Sequence, residues 1–153
     1  MKIYIISVGK KHDATISAAI DEYEKRLNRV IPVEWRFISP STLESEAARK
    51  AESTKISESL KSSDMVWLLD ERGEQVTSPA LSNKLQVLKV HAVSRLVLII
   101  GGAYGVDDVL RSRADWVWSL SILVFPHQLV RLLLVEQLYR ATEIEKGSGY
   151  HHA

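Results

Sequence analysis

The stretch Ile99-Ile100-Gly101-Gly102-Ala103-Tyr104-Gly105 decides how this chain is read. An apolar strand runs into three glycines, so the backbone leaves a buried β-strand almost bare of side chains. Upstream, Arg95–Ile100 has no polar alternation, the pattern of a strand covered on both faces. Downstream, Ser119-Leu120-Ser121 forms a second tight stretch, and Phe125-Pro126-His127-Gln128-Leu129-Val130-Arg131 opens a long helix with a proline. Such segments leave room for a flat, polar cofactor against the backbone, and a small-molecule pocket is expected here.

Further out, apolar and polar residues alternate by element. Lys2–Ser7 reads as a first strand, and residues 13–29 carry Ile16, Ala19, Ile20, Tyr23 and Leu27 at helical spacing. Val33–Ile38 sets Val33, Trp35 and Phe37 against Glu34 and Arg36, a half-buried strand. Ser41–Lys61 is charged and alanine-rich and reads as an exposed helix. Met65–Leu69 is a continuous apolar strand closed by Asp70-Glu71-Arg72-Gly73. Ser78-Pro79 starts a helix with Leu81, Leu85 and Leu88 as its buried stripe. Val106–Arg111 predicts a short helix, Trp116–Ser119 a strand and Pro126–Glu145 a long helix, with a mobile tail after Gly147. Strands alternating with helices imply an α/β layer fold with a mostly parallel sheet. No repeat, low-complexity run or linker divides it, so residues 1–153 are expected to form a single domain.

The bulk numbers agree with a soluble globular protein. The chain has 153 residues, 46% hydrophobic and 25% charged, with 20 basic against 19 acidic residues. No apolar run approaches the ~18–20 residues of a membrane span. The absence of cysteine excludes disulfides, thiolate catalysis and cysteine-based zinc sites. A cytoplasmic protein without a metal is expected. The near-neutral balance argues against one broad basic face for nucleic acid. RNA contacts would have to come from local patches or from a surface shared by two subunits.

In open α/β sheets, ligands sit beyond the carboxyl ends of strands. Three loops qualify: Leu69–Gly73, Gly101–Gly105 and Leu120–Phe125. At Gly101 and Gly102 two readings stand, a close approach of ligand to backbone and a tight turn that needs positive φ. The spacing is neither a dinucleotide fingerprint nor a phosphate-binding loop. On the long helix, His127 and Arg131 fall one turn apart and present neighbouring polar heads. His127 could equally be a helix-start residue bonded to backbone. Glu136 and Arg140 suit an i,i+4 ion pair. Leu129, Val130, Leu132, Leu133, Val135 and Ile144 run nearly all the way round, so the helix needs cover on more than one side. A homodimer interface is the simplest source of that cover, with an unusually central core helix as the alternative. His12, after two lysines, reads as solvent-exposed, and no carboxylate stands out as a buried base. The ending Tyr150-His151-His152-Ala153 concentrates stacking and hydrogen-bonding groups, with a frayed terminus as the plain alternative.

Taken in order, Val8-Gly9-Lys10, Glu22-Tyr23-Glu24-Lys25-Arg26-Leu27, Leu69-Asp70, Ile100-Gly101-Gly102 with Gly105, Ser119-Leu120-Ser121, Phe125-Pro126-His127, Val130-Arg131, Glu136-Gln137-Leu138-Tyr139-Arg140-Ala141 and Tyr150-His151 form a recognisable series. Over essentially the whole chain it resembles the large-subunit ribosomal RNA methyltransferase H family of the SPOUT superfamily. The resemblance implies a SPOUT-type α/β domain, helices on both faces of the sheet, and a deep C-terminal trefoil knot over roughly residues 66–146. It implies an S-adenosyl-L-methionine-dependent homodimer that methylates N3 of a pseudouridine in 23S rRNA of the assembled ribosome. It places cofactor contacts at Leu69, Gly101, Leu120, Ser121, Ile122, Leu123, Val124 and Phe125. These positions fall in the same three loops that the strand-end argument selects. Catalytic positioning falls to His127, Arg131, Tyr150 and His151, with the tail of one subunit reaching over the pocket. Arg140, Lys25, Arg26 and Arg29 are candidate phosphate contacts. Family members commonly end in Tyr-His followed by Lys or Arg, whereas His152 and Ala153 follow here. That difference gives weight to one alternative, a non-catalytic cofactor-binding, ribosome-associated module; a second keeps the chemistry but takes a tRNA uridine or pseudouridine as substrate.

Overall fold

The computed structural model describes residues 1–152. A five-stranded sheet of order β2-β1-β4-β3-β5 forms the centre, and every pairing is parallel. The strands are β1 (Lys2–Val8), β2 (Val33–Ile38), β3 (Met65–Glu74), β4 (Arg95–Ile100) and β5 (Trp116–Trp118). The helices are α1 (Ala14–Leu27), α2 (Ser45–Glu58), α3 (Ser78–Val90), α4 (Asp108–Arg113) and α5 (His127–Lys146).

Side chains one residue apart on a strand point to opposite faces, and this rule divides the core in two. Ile3, Ile5, Trp67, Leu96, Leu98 and Ile100 pack with α1, α3 and α5. Ile6, Val8, Val66, Leu68, Val97 and Ile99 face the other way, onto Ile56 of α2 and Leu110 of α4. Helices on both faces explain why β4 lacks polar alternation.

Several elements differ from the expectation. Strand β3 runs on to Glu74 because, after a register shift beyond Leu69, Glu74 pairs with Trp118. Gly73 permits it, since a Cβ there would lie 2.5 Å from the Val117 carbonyl oxygen. Helix α4 starts two residues later than predicted, because the Asp107 side chain caps it by accepting from Leu110 N–H at 2.8 Å. Helix α2 is shorter than predicted and is not an exposed helix: Ala48, Glu52, Ser53 and Ile56 are buried. The tail is held in place. Gly147 ends α5 in the left-handed conformation, φ 70°, and turns the chain back so that Tyr150 packs edge-to-face against Tyr139. Ala153, part of the departure from the family ending, lies outside the described residues.

Candidate cofactor pocket

Strands β4, β3 and β5 lie side by side, so their carboxyl ends bring the three selected loops together. Between them lies a cavity of about 520 Å³, lined among others by Leu69, Asp70, Gly101, Tyr104, Leu120, Ser121 and Phe125. Leu123, Val124, His127 and Val130 close its helix side. Of the cofactor positions proposed from the resemblance, only Ile122 lies outside the lining; it is 75% exposed. The 119–123 bend is shaped internally, with Ser119 Oγ donating to Ser121 O (2.9 Å) and Leu123 N–H to Ser121 Oγ (3.0 Å).

The turn that needs positive φ is made at Gly105, not at Gly101 or Gly102. Gly105, φ 74°, closes a tight turn by donating its N–H to Gly102 O at 3.0 Å. Gly101 lines the cavity, but a Cβ there would press on Val106 (3.1 Å) and on the Gly105 backbone (3.3 Å). At Gly102 a Cβ would collide with the Glu52 carboxylate.

That carboxylate went unread in the sequence. Glu52 is 5% exposed; its Oε2 accepts from Ser41 N–H at 2.8 Å, and its Oε1 has no partner among the described residues. On the same face of α2, Arg49 Nε donates to Tyr104 O (2.9 Å), and Ser53 Oγ accepts from Asp107 N–H (2.9 Å). Arg49 and Ser53, at i and i+4, therefore bond the 101–107 loop, while Glu52 at i+3 packs against Gly102. The signal was an Arg-x-x-Glu-Ser stripe, hidden in a helix whose polarity reads as solvated.

The four proposed catalytic residues separate. His127 lines the cavity. Burial first, then the Arg131 charge, push its pKa below the ordinary histidine value, with Glu52 opposing. Arg131 is fully buried and does not line the cavity. Its Nε donates to Ser7 Oγ (2.9 Å), its Nη1 to Lys10 O (2.8 Å), and its guanidinium lies over the Phe37 ring. It anchors the turn after β1 rather than presenting a head beside His127. His12 is not solvent-exposed as expected; it is wedged edge-on against Trp35 and Phe37.

Tyr150 and His151 gather at the far end of α5. Glu136 binds Arg140 (2.6 Å) and accepts from the Tyr150 hydroxyl (3.1 Å), while Arg140 Nη1 lies 3.4 Å from His151 Nδ1. Burial first, then the Tyr23 hydroxyl and the Glu136 carboxylate, raise the Tyr150 pKa above its ordinary value. Nine residues of helix to Glu136 and thirteen to Arg140, at 1.5 Å each, put this cluster ~14–20 Å from His127 along the axis. Arg26 is committed to Glu22.

Among the described residues, no helix is long and apolar enough to cross a membrane, and no group of three or more metal-ligating side chains is gathered. The family profile described as "Predicted SPOUT methyltransferase" matches residues 1–151. The protein named "Ribosomal RNA large subunit methyltransferase H" from Geobacter metallireducens is 44% identical, with all of both chains covered. Its namesake from Acetivibrio thermocellus is 39% identical over 99% of each chain. A solved structure titled as a probable methylase family protein from Haemophilus influenzae superposes with a TM-score of 0.57 at 11% identity. It covers 99% of this chain and 70% of its own, a likeness of fold.

Proposed function

The chain belongs to the SPOUT methyltransferase family, among its large-subunit ribosomal RNA methyltransferase H members, and from that premise we propose that it methylates N3 of a pseudouridine in 23S rRNA, using S-adenosyl-L-methionine. The observation that carries this reading is the cavity beyond β3, β4 and β5, with the His127 ring in its wall. Its volume lies within the range of small-molecule sites, and it is lined by Gly101 and the 120–125 bend together with the apolar Leu69, Leu123 and Phe125. That donor set fits an adenine edge read by amides and carbonyls, with apolar cover on the ring. Bound there, the cofactor supplies a methyl group on a cationic sulfur.

The chain has two tasks. It must hold base and methyl donor in line at near-contact distance. It must also let the imide proton go as the N–C bond forms. His127 is free to accept that proton because burial and the neighbouring Arg131 keep it unprotonated near pH 7. Tyr150 and His151 sit too far along α5 to serve the His127 of their own chain. In this reading they reach a second copy's pocket. The half-buried Leu129, Val130, Leu132 and Leu133 of α5 supply the apolar face for that homodimer. The domain is taken as 1–153, with the knot over roughly 66–146 following from family membership.

The test is transfer of labelled methyl from S-adenosylmethionine to ribosomes lacking the modification, with naked rRNA and tRNA alongside. Label on one 23S pseudouridine is expected. Label on tRNA alone would move the substrate, and cofactor binding without any transfer would leave a non-catalytic module.

A further inference from the structure

The cations in the cavity wall already have carboxylate partners. Arg49 is bonded to Glu46, and Arg72 to Asp70, which also takes Arg111. Two of the phosphate contacts expected from the sequence are engaged as well, Arg26 with Glu22 and Arg140 with Glu136. The other two, Lys25 and Arg29, stand at the wrong end of α1. Helices α1 and α5 run side by side in the same direction. The Asp13 N–H meets Gln128 where both begin, and Tyr23 meets Tyr139 further along. The last turn of α1 therefore lies away from His127.

One cationic turn near His127 is not neutralised. Gly9, φ 133°, leads the chain out of β1 into Lys10 and Lys11. Both lysines are exposed, and neither joins an ion pair among the described residues. The start of α5 fixes the backbone that carries them. Arg131 Nη1 donates to Lys10 O (2.8 Å), Gln128 Oε1 accepts from Asp13 N–H (3.0 Å), and Gln128 Nε2 lies 3.5 Å from Lys11 O. The two ammonium groups are thus mounted on the same helix start that places His127 in the cavity wall. The carboxylate of this turn, Asp13, is matched from within: burial disfavours the charged form of Arg131, and the Asp13 charge opposes that. Uncommitted ammoniums on a fixed backbone suit phosphates, whose contacts position a strand without reading its sequence. Resting on the ribosomal RNA reading above, we propose that the Lys10–Lys11 turn docks two phosphates of the substrate RNA strand and holds its base at the cavity. Both are positioning residues, since neither lines the cavity.

The test follows binding to ribosomes lacking the modification, and methyl transfer on them, across a salt series. The variants are Lys10→Gln, Lys11→Gln, the double Gln chain and the double Arg chain. The bonds that hold the turn use main-chain atoms of Lys10 and Lys11, so every variant should melt with wild type and bind S-adenosyl-L-homocysteine as wild type does. On a single strand each phosphate contact contributes ~0.7 to the slope of log K against log salt. Each Gln variant should therefore flatten the slope by ~0.7 and weaken binding about fivefold near 0.1 M salt. The double Gln chain should lose ~1.4 of slope and about 25-fold in affinity, with the difference closing toward 1 M salt. Its KM should rise by far more than kcat falls. The double Arg chain keeps the charges and should restore both slope and KM. If wild type methylates ribosomes and the double Gln chain keeps the full slope, the turn is a solvated loop and the inference fails while the ribosomal RNA reading stands. A double Arg chain as weak as the double Gln chain would also overturn it, because charge would then not be what the turn supplies. If wild type neither binds nor methylates ribosomes, both readings fall together.

Discussion

At the scale of single residues, His127 and Glu52 form the most informative pair. The pKa of His127 lies below the ordinary histidine value because burial and Arg131 outweigh Glu52, whose charge alone favours the protonated ring. If neutral His127 takes the N3 proton, activity is present above that lowered pKa and is lost as pH falls through it. Glu52→Gln removes the one influence holding the pKa up, so the acid limb should move to lower pH. NMR titration of the His127 ring should move with it, and an unmoved limb would deny the coupling. The same lowered pKa makes a stability statement. The unfolded chain takes up the proton first, so stability is intact above pH ~6.5 and declines as pH falls toward the folded pKa. Arg131 carries a different prediction. With no carboxylate partner but bonds to Ser7 and Lys10, Arg131→Met should cost ~2–3 kcal/mol, typical of hydrogen bonds made by a buried charged group. Urea melts would read it, and unchanged stability with lost turnover would restore Arg131 to a direct role. Sequence spacing showed that His127 and Arg131 are neighbours. It could not show that the longer side chain turns inward, because that depends on the turn at Gly9, whose Cβ would press on the guanidinium at 3.0 Å.

At the scale of elements, α2 shows what periodicity misses. A stripe of apolar residues announces burial, but here the buried face includes Glu52 and Ser53, polar groups that a pattern assigns to water. Their burial becomes sensible only once the loop after β4 offers Ser53 a backbone donor, and no local signal contains that loop. Ser53→Ala strands the Asp107 N–H and should cost ~1–2 kcal/mol, the penalty of one unsatisfied buried group. It should also loosen Gly101–Val106, so cofactor affinity falls with stability while affinity on an independent RNA-only assay does not. Elements with strong local chemistry were far more legible. Pro79 and the Leu81, Leu85, Leu88 stripe mark α3, and Thr77 caps it by accepting from Ala80 N–H at 3.2 Å. The central strands were legible because their residues are apolar on both faces, and β2 because Val33, Trp35 and Phe37 alternate with Glu34 and Arg36. The extension of β3 to Glu74 was not, because it depends on where Gly73 meets β5.

At the scale of the whole molecule, one chain does not bring its own proposed catalytic groups together. His127 lines the cavity, while Tyr150 and His151 stay with Glu136 and Arg140, ~14–20 Å along α5. In the proposed homodimer, a two-fold axis that buries the half-exposed face of α5 would exchange these ends, and each pocket would be completed by the partner's tail. Two separately inactive variants test this: His127→Ala, and a chain lacking residues 149–153. The tail deletion should keep cofactor affinity near wild type, since no deleted residue lines the cavity. Mixed after unfolding and refolding together, half of the dimers pair one variant with the other. In each such dimer, the intact tail of the His127→Ala chain lies over the intact pocket of the truncated one. Methyl transfer should therefore return to about a quarter of the wild-type level, one working site in half of the dimers. Tails acting within their own chain would leave the mixture as inactive as its parts, because no protomer then carries both halves of the site.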